Sequence, residues 1–194
     1  MLSLLTPTDP LWPEVAAAQL PALLADHAHC EIKAAQSALS LLARHGGEVP
    51  ALIQPLTELA QEETEHFAQV HQRLAAFGPL PVPNSDSYVT RLTSAARLNQ
   101  HDGHPALLDK LLVASLIEAR SCERFRLLSE YLPDPGLAEF YRELMASEAR
   151  HFTLFGTLAA RCFGASSSRA RFSVLAGREA EIVRQLPLGP QVHG

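Results

Sequence analysis

The chain carries Glu-x-x-His twice, as Glu63–His66 and Glu148–His151. On a helix, residues three apart share a face, so each pair can turn a carboxylate oxygen and an imidazole nitrogen toward one cation. A further glutamate precedes each copy: Glu31 lies 32 residues before Glu63, and Glu118 lies 30 before Glu148. One glutamate from each of two helices plus Glu-x-x-His from each of two others is the donor set of di-iron and di-manganese carboxylate sites. Mixed oxygen and imidazole donors suit iron or manganese better than a structural zinc, which favours thiolates. A single Glu-x-x-His is commonplace on a solvated helix face. The duplicated arrangement is not.

The elements that must position these residues are helices. Strand signals are sparse, Ala and Leu dominate, and apolar positions recur at steps of three and four. The second stripe runs Leu56, Leu59, Glu63, His66, Val70, Leu74, Phe77, and the fourth Leu137, Phe140, Leu144, Glu148, His151, Phe155, Leu158. The first reads Leu20, Leu24, His27, Glu31, Ala35, Ala38, Leu42, and the third Leu107, Leu111, Ala114, Glu118, Cys122, Phe125, Leu128. An acid interrupts each stripe near its middle. Four carboxylates buried together are costly unless they take up protons, meet cations or bind metal. Glu58, Glu62 and Glu65 lie off the stripe and read as solvated.

Punctuation by Pro and Gly gives the layout. A short helix over 12–19 is expected, then long helices over 21–45, 50–77, 105–131 and 135–163. The second closes on Gly78 and the run Pro79, Pro81, Pro83, and a long connection carries a short helix across 87–99. Gly164 and a flexible Ser166-Ser167-Ser168 precede a final amphipathic segment over 171–186. The expected fold is all-α, a ferritin-like four-helix bundle. A long crossover joins its second and third long helices, and short helices flank it. It is read as one domain over 1–194, with the core bundle at about 21–163. Both halves pass from a His-Phe pair to a Phe-Gly, so the bundle looks like a duplicated helical hairpin.

Composition restricts the rest. The chain has 194 residues, 47% hydrophobic and 19% charged, with a net charge of −5. Residues 1–78 hold three Lys/Arg against nine Asp/Glu, while 79–194 hold thirteen against twelve. Net charge therefore neither requires nor excludes a nucleic-acid partner. Cys30, Cys122 and Cys162 form no CxxC and read as reduced thiols of a cytoplasmic protein. No signal-peptide pattern and no membrane-length apolar run is seen. His27, one turn before Glu31, is either a hydrogen-bond partner of a ligand or a satisfied core histidine, and Cys122 is either packing or a thiol near the metal.

The runs Ala25–Gln36 (ADHAHCEIKAAQ) and Ile117–Phe125 (IEARSCERF), and Phe140-Tyr141-Arg142 leading into Ser147–Phe152 (SEARHF), resemble the tRNA 2-methylthio-N6-isopentenyladenosine hydroxylases, the MiaE family. The similarity covers nearly the whole chain from about residue 11. The resemblance implies a non-haem di-iron monooxygenase that uses O2 to hydroxylate the isopentenyl chain of the base beside the anticodon. Two iron ions would be held by Glu31, Glu63, His66, Glu118, Glu148 and His151. It also implies a tRNA partner, for which Arg120, Arg124, Arg142, Arg150, Arg169 and Arg171 are candidate contacts. Solvated arginines balancing nearby glutamates are the alternative for each. Arg120 and Arg150 lie two residues beyond a ligand and so point away from the metals. Electrons must come from a separate reductase or ferredoxin, because the chain has neither a GxGxxG-type loop nor an iron–sulfur cysteine set. A monomer or small homo-oligomer is expected. Other ferritin-like oxidases or peroxide scavengers, an iron-storage subunit and a metal-free helical interaction protein are the competing readings.

Overall fold

The structure, a computed structural model, describes residues 2–78, 87–98 and 105–193. The run Pro79, Pro81, Pro83 and the end of the connecting helix at residue 99 lie outside the described residues. Those residues form seven α-helices and no strand: α1 (Trp12–Ala18), α2 (Leu20–His45), α3 (Ile53–Leu74), α4 (Ser87–Leu98), α5 (Ala106–Tyr131), α6 (Pro135–Phe163) and α7 (Ala165–Val183). The expected second long helix is α3 with a short 3-10 turn at each end, Pro50–Leu52 and Ala75–Phe77. No helix of the described residues is long and apolar enough to cross a membrane.

The helix boundaries follow from their chemistry. Pro21 occupies the first turn of α2, where its missing N–H has no intrahelical partner to lose. Asp134 caps α6 by accepting the Leu137 N–H at 2.6 Å, with Pro135 directly behind it. Gly164 takes φ 86°, a conformation open to glycine, so α6 stops and α7 starts at the very next residue. The serine run expected to be flexible is therefore the first turn of α7.

Two compact units partition the chain. One comprises Val15–Ser85 and Pro190–Val192, and the other Met1–Glu14, Asp86–Gly189 and His193–Gly194. In the first, α2 and α3 pack as a hairpin, and Leu56, Leu59, Glu63, His66 and Val70 are the buried face of α3. That stripe stops short of its expected end: Leu74 is half-buried and Phe77 is exposed. In the second, α5 and α6 pack as a hairpin, and α4 and α7 pack on α5 and on each other. Consequently α5 is buried on nearly every side, from Leu107, Leu108 and Leu111 to Arg120, Arg124 and Leu128. A helix that is apolar all round is a buried one.

Two ion pairs fasten α7 to α5. The Arg171 guanidinium donates to both Asp109 carboxylate oxygens, at 2.7 and 2.9 Å. Arg120 donates to Glu179 Oε1 from Nε at 3.0 Å and from a terminal nitrogen at 2.7 Å, and also binds Thr6 O, Thr8 Oγ1 and Glu123. Tyr88 of α4 donates to the same Glu179 oxygen at 3.1 Å, so this carboxylate ties three helices together.

Candidate metal centre

Each unit buries one triad of two carboxylates and an imidazole. On the α2–α3 hairpin these are Glu31, Glu63 and His66, 4%, 1% and 7% exposed, each offering a ligand atom within 4.8 Å of the others. His66 Nδ1 lies 3.5 Å from Glu63 Oε2 and 3.7 Å from Glu31 Oε2. On the α5–α6 hairpin the triad is Glu118, Glu148 and His151, again buried and within 4.8 Å. Here His151 Nδ1 lies 3.9 Å from Glu148 Oε1. In both copies Nδ1 faces the glutamate one turn earlier, as expected from three-residue spacing on a helix. Two carboxylates with one imidazole fit a hard or borderline divalent cation such as Fe(II) or Mn(II).

His27 is hydrogen-bonded to the first triad. Fully buried, its Nε2 lies 2.6 Å from Glu31 Oε1, which leaves Oε2 on the His66 side. Burial works against the Glu31 charge, but hydrogen bonds with His27 and His66 hold its carboxyl well below the usual carboxylate range. Burial also works against a charged His66, yet Glu31 and Glu63 carry its pKa up to about 10. Glu62, half-buried, adds an oxygen 3.9 Å from His66 Nε2 and is not simply solvated. Cys122 packs instead: burial pushes its thiol up to about 11, and Sγ donates to Met145 O at 3.3 Å.

A pH dependence follows. In the metal-free protein His66 binds its proton more tightly than an ordinary imidazole at about 6.5. Its stabilising contribution is therefore full below about 6.5 and fades as pH rises through about 10. Metal needs the neutral ring, so loading should expel a proton. Co(II) affinity is expected to rise by up to about tenfold per pH unit between 6.5 and 8, followed by titration calorimetry in buffers of differing ionisation heat. Affinity flat with pH would show the ring already neutral.

The arginines need correcting. Arg120 is 0% exposed, Arg171 is 2% and Arg124 is 6%. Arg120 and Arg171 hold α7 to α5, and Arg124 lies over the Trp12 ring, 4.8 Å from its centre. All three guanidiniums are taken up inside the fold, Arg120 and Arg171 between α5 and α7 and Arg124 against Trp12, so none is presented at the surface for a phosphate. Arg142, Arg150 and Arg169 are exposed. Arg142 pairs with Glu139, and Arg150 donates to Ser147 Oγ at 3.0 Å. The all-round hydrophobicity of 107–116 was the available signal that α5 is enclosed.

An all-α chain of two glutamate–histidine hairpins falls in the ferritin-like class. A solved structure described as Protein 43 with aldehyde deformylating oxygenase activity from Synechococcus superposes with a TM-score of 0.88 at 40% identity, covering 98% of this chain and 95% of that one. The sequence profile of the MiaE family, described as tRNA-(MS2IO6A)-hydroxylase, matches residues 2–194. The chain belongs to the MiaE family. A Pseudomonas putida relative, named tRNA 2-(methylsulfanyl)-N(6)-isopentenyladenosine(37) hydroxylase, is 41% identical over 147 residues, covering 75% of this chain and 69% of the relative. A Salmonella typhimurium relative of the same name is 29% identical over 211 residues, covering 84% and 76%.

Proposed function

We propose that this chain hydroxylates the isopentenyl side chain of 2-methylthio-N6-isopentenyladenosine beside the tRNA anticodon, with two iron ions held by Glu31, Glu63, His66, Glu118, Glu148 and His151. The observation that carries the reading is the buried triad of two carboxylates and one imidazole, repeated on two hairpins of a MiaE-family chain. Iron bound there supplies O2 activation: substrate C–H, O2, two electrons and two protons become C–OH and water. The chain's own groups prepare the site. His27 holds Glu31 Oε1 in place, burial of all six ligands keeps bulk water off them, and Cys122 stays a neutral thiol. An external reductase or ferredoxin provides the electrons, and the tRNA substrate places the enzyme in the cytoplasm.

A second reading is favoured by one observation, the 40% identity to the Synechococcus protein described by its aldehyde deformylating activity. In that reading the same site would act on an aldehyde. Iron-loaded protein, O2 and a reductant should be offered prenylated, methylthiolated tRNA and, separately, an aldehyde. One added oxygen atom on the nucleoside by mass spectrometry is the expected result. Alkane and formate with unaltered tRNA would transfer the assignment to the second reading.

A further inference from the structure

We propose that the cavity walled by α5, α6, α7 and the N-terminal residues Ser3–Leu5 is a second nucleotide subsite, which takes an unstacked base and its phosphate from the RNA flanking the base to be modified. The inference rests on the tRNA reading above. The cavity measures about 970 Å³, within the range of small-molecule sites and roomy for a nucleotide. Its wall carries the Phe152 and Phe172 rings, edge to face with centroids 6.2 Å apart. Such rings are stacking platforms for bases of single-stranded RNA.

The charged groups point to a phosphate. Arg161 and Arg169 line the cavity, both are exposed, and neither meets a carboxylate among the described residues. The exposed Arg126, Arg142 and Arg178 are each matched by a glutamate three or four residues away, Glu130, Glu139 and Glu181. No Asp or Glu is among the described residues lining the cavity. The 19-residue helix α7 begins on its wall at Ala165, with no side-chain cap on its first turn. Ser168, in that turn and also on the wall, has a buried hydroxyl with no hydrogen-bond partner among the described residues. An uncapped helix start, two unmatched guanidiniums and a spare hydroxyl form a phosphate-binding set. Thr153, Thr157 and Ser173 put further hydroxyls among the apolar groups. These suit the edges of a base and ribose better than an acyl chain.

Gly156 makes the test clean. It lines the cavity from within α6, and a Cβ added there meets nothing within 4 Å. Gly156→Leu should therefore project a side chain into the cavity from a Cβ position that is open, and it replaces a poor helix former with a good one. Iron-loaded wild type, Gly156→Leu and the double variant Arg161→Glu/Arg169→Glu are titrated with a labelled anticodon stem-loop bearing the prenylated base, at several salt concentrations. Gly156→Leu is expected to raise Kd about tenfold while kcat at saturating RNA stays within about twofold. The arginine pair should raise Kd further and flatten the logarithmic salt slope by roughly two. Wild-type-like binding by both variants, with RNA still hydroxylated, overturns the subsite alone. A labelled long-chain carboxylate that binds the wild type and is lost in Gly156→Leu, with RNA affinity unchanged, also overturns it. A wild type that neither binds nor hydroxylates the stem-loop removes the tRNA reading instead.

Discussion

Replacing Glu118 with alanine is expected to abolish iron binding at its triad and to cut hydroxylation by more than about a hundredfold. That exceeds the 10–100-fold loss typical of groups that only orient a ligand. The stability effect should be small or of opposite sign. Glu118 is 6% exposed and shares its pocket with Glu148. In the metal-free protein two neighbouring buried carboxylates are a liability that cation binding offsets, so removing one should leave the metal-free fold at least as stable. Iron content by atomic emission, the Co(II) visible spectrum and thermal melts with and without metal separate these effects. A variant that keeps full iron and activity would show that Glu118 is not a ligand. One that melts well below the metal-free wild type would make its role structural.

Arg120→Ala should have the largest effect on stability. Its guanidinium is fully buried and makes five polar contacts, two with Glu179, which is itself 0% exposed. Burial alone would favour a neutral Arg120, but Glu179 and Glu123 raise its pKa above the usual arginine value, so the guanidinium stays charged. Removing one partner strands the other charge in the interior, which typically costs about 3–5 kcal/mol. For a chain of this size that corresponds to a fall in Tm of roughly 10 °C. The double variant Arg120→Met/Glu179→Leu removes both charges and should recover most of the loss. Calorimetry on wild type, Arg120→Met, Glu179→Leu and the double variant closes the cycle that measures the coupling. If Arg120→Ala alone melts like the wild type, the pair contributes nothing to folding.

The candidate metal ligands and the arginines differ in how far they could be read from the chain. Glu63 and His66, or Glu148 and His151, are related by one turn of one helix, so their common face follows from spacing alone. The interruption of apolar stripes by Glu31 and Glu118 is equally local, because a helix repeats its face every three to four residues wherever it packs. These residues settled the all-helical class, the four long helices and the six candidate ligands. His27 was half-legible: the four-residue step placed it beside Glu31, but only coordinates put Nε2 at 2.6 Å.

The arginines depended on contacts between residues far apart in the chain. Arg120 meets Glu179 and Arg171 meets Asp109 because α7, starting abruptly after Gly164, lies along α5. No periodicity within α5 says that a helix some sixty residues later will cover its second face. Local patterning therefore determined which residues could bind metal. Tertiary packing alone decided which cations are buried in ion pairs and which, like Arg161 and Arg169, remain open to a partner.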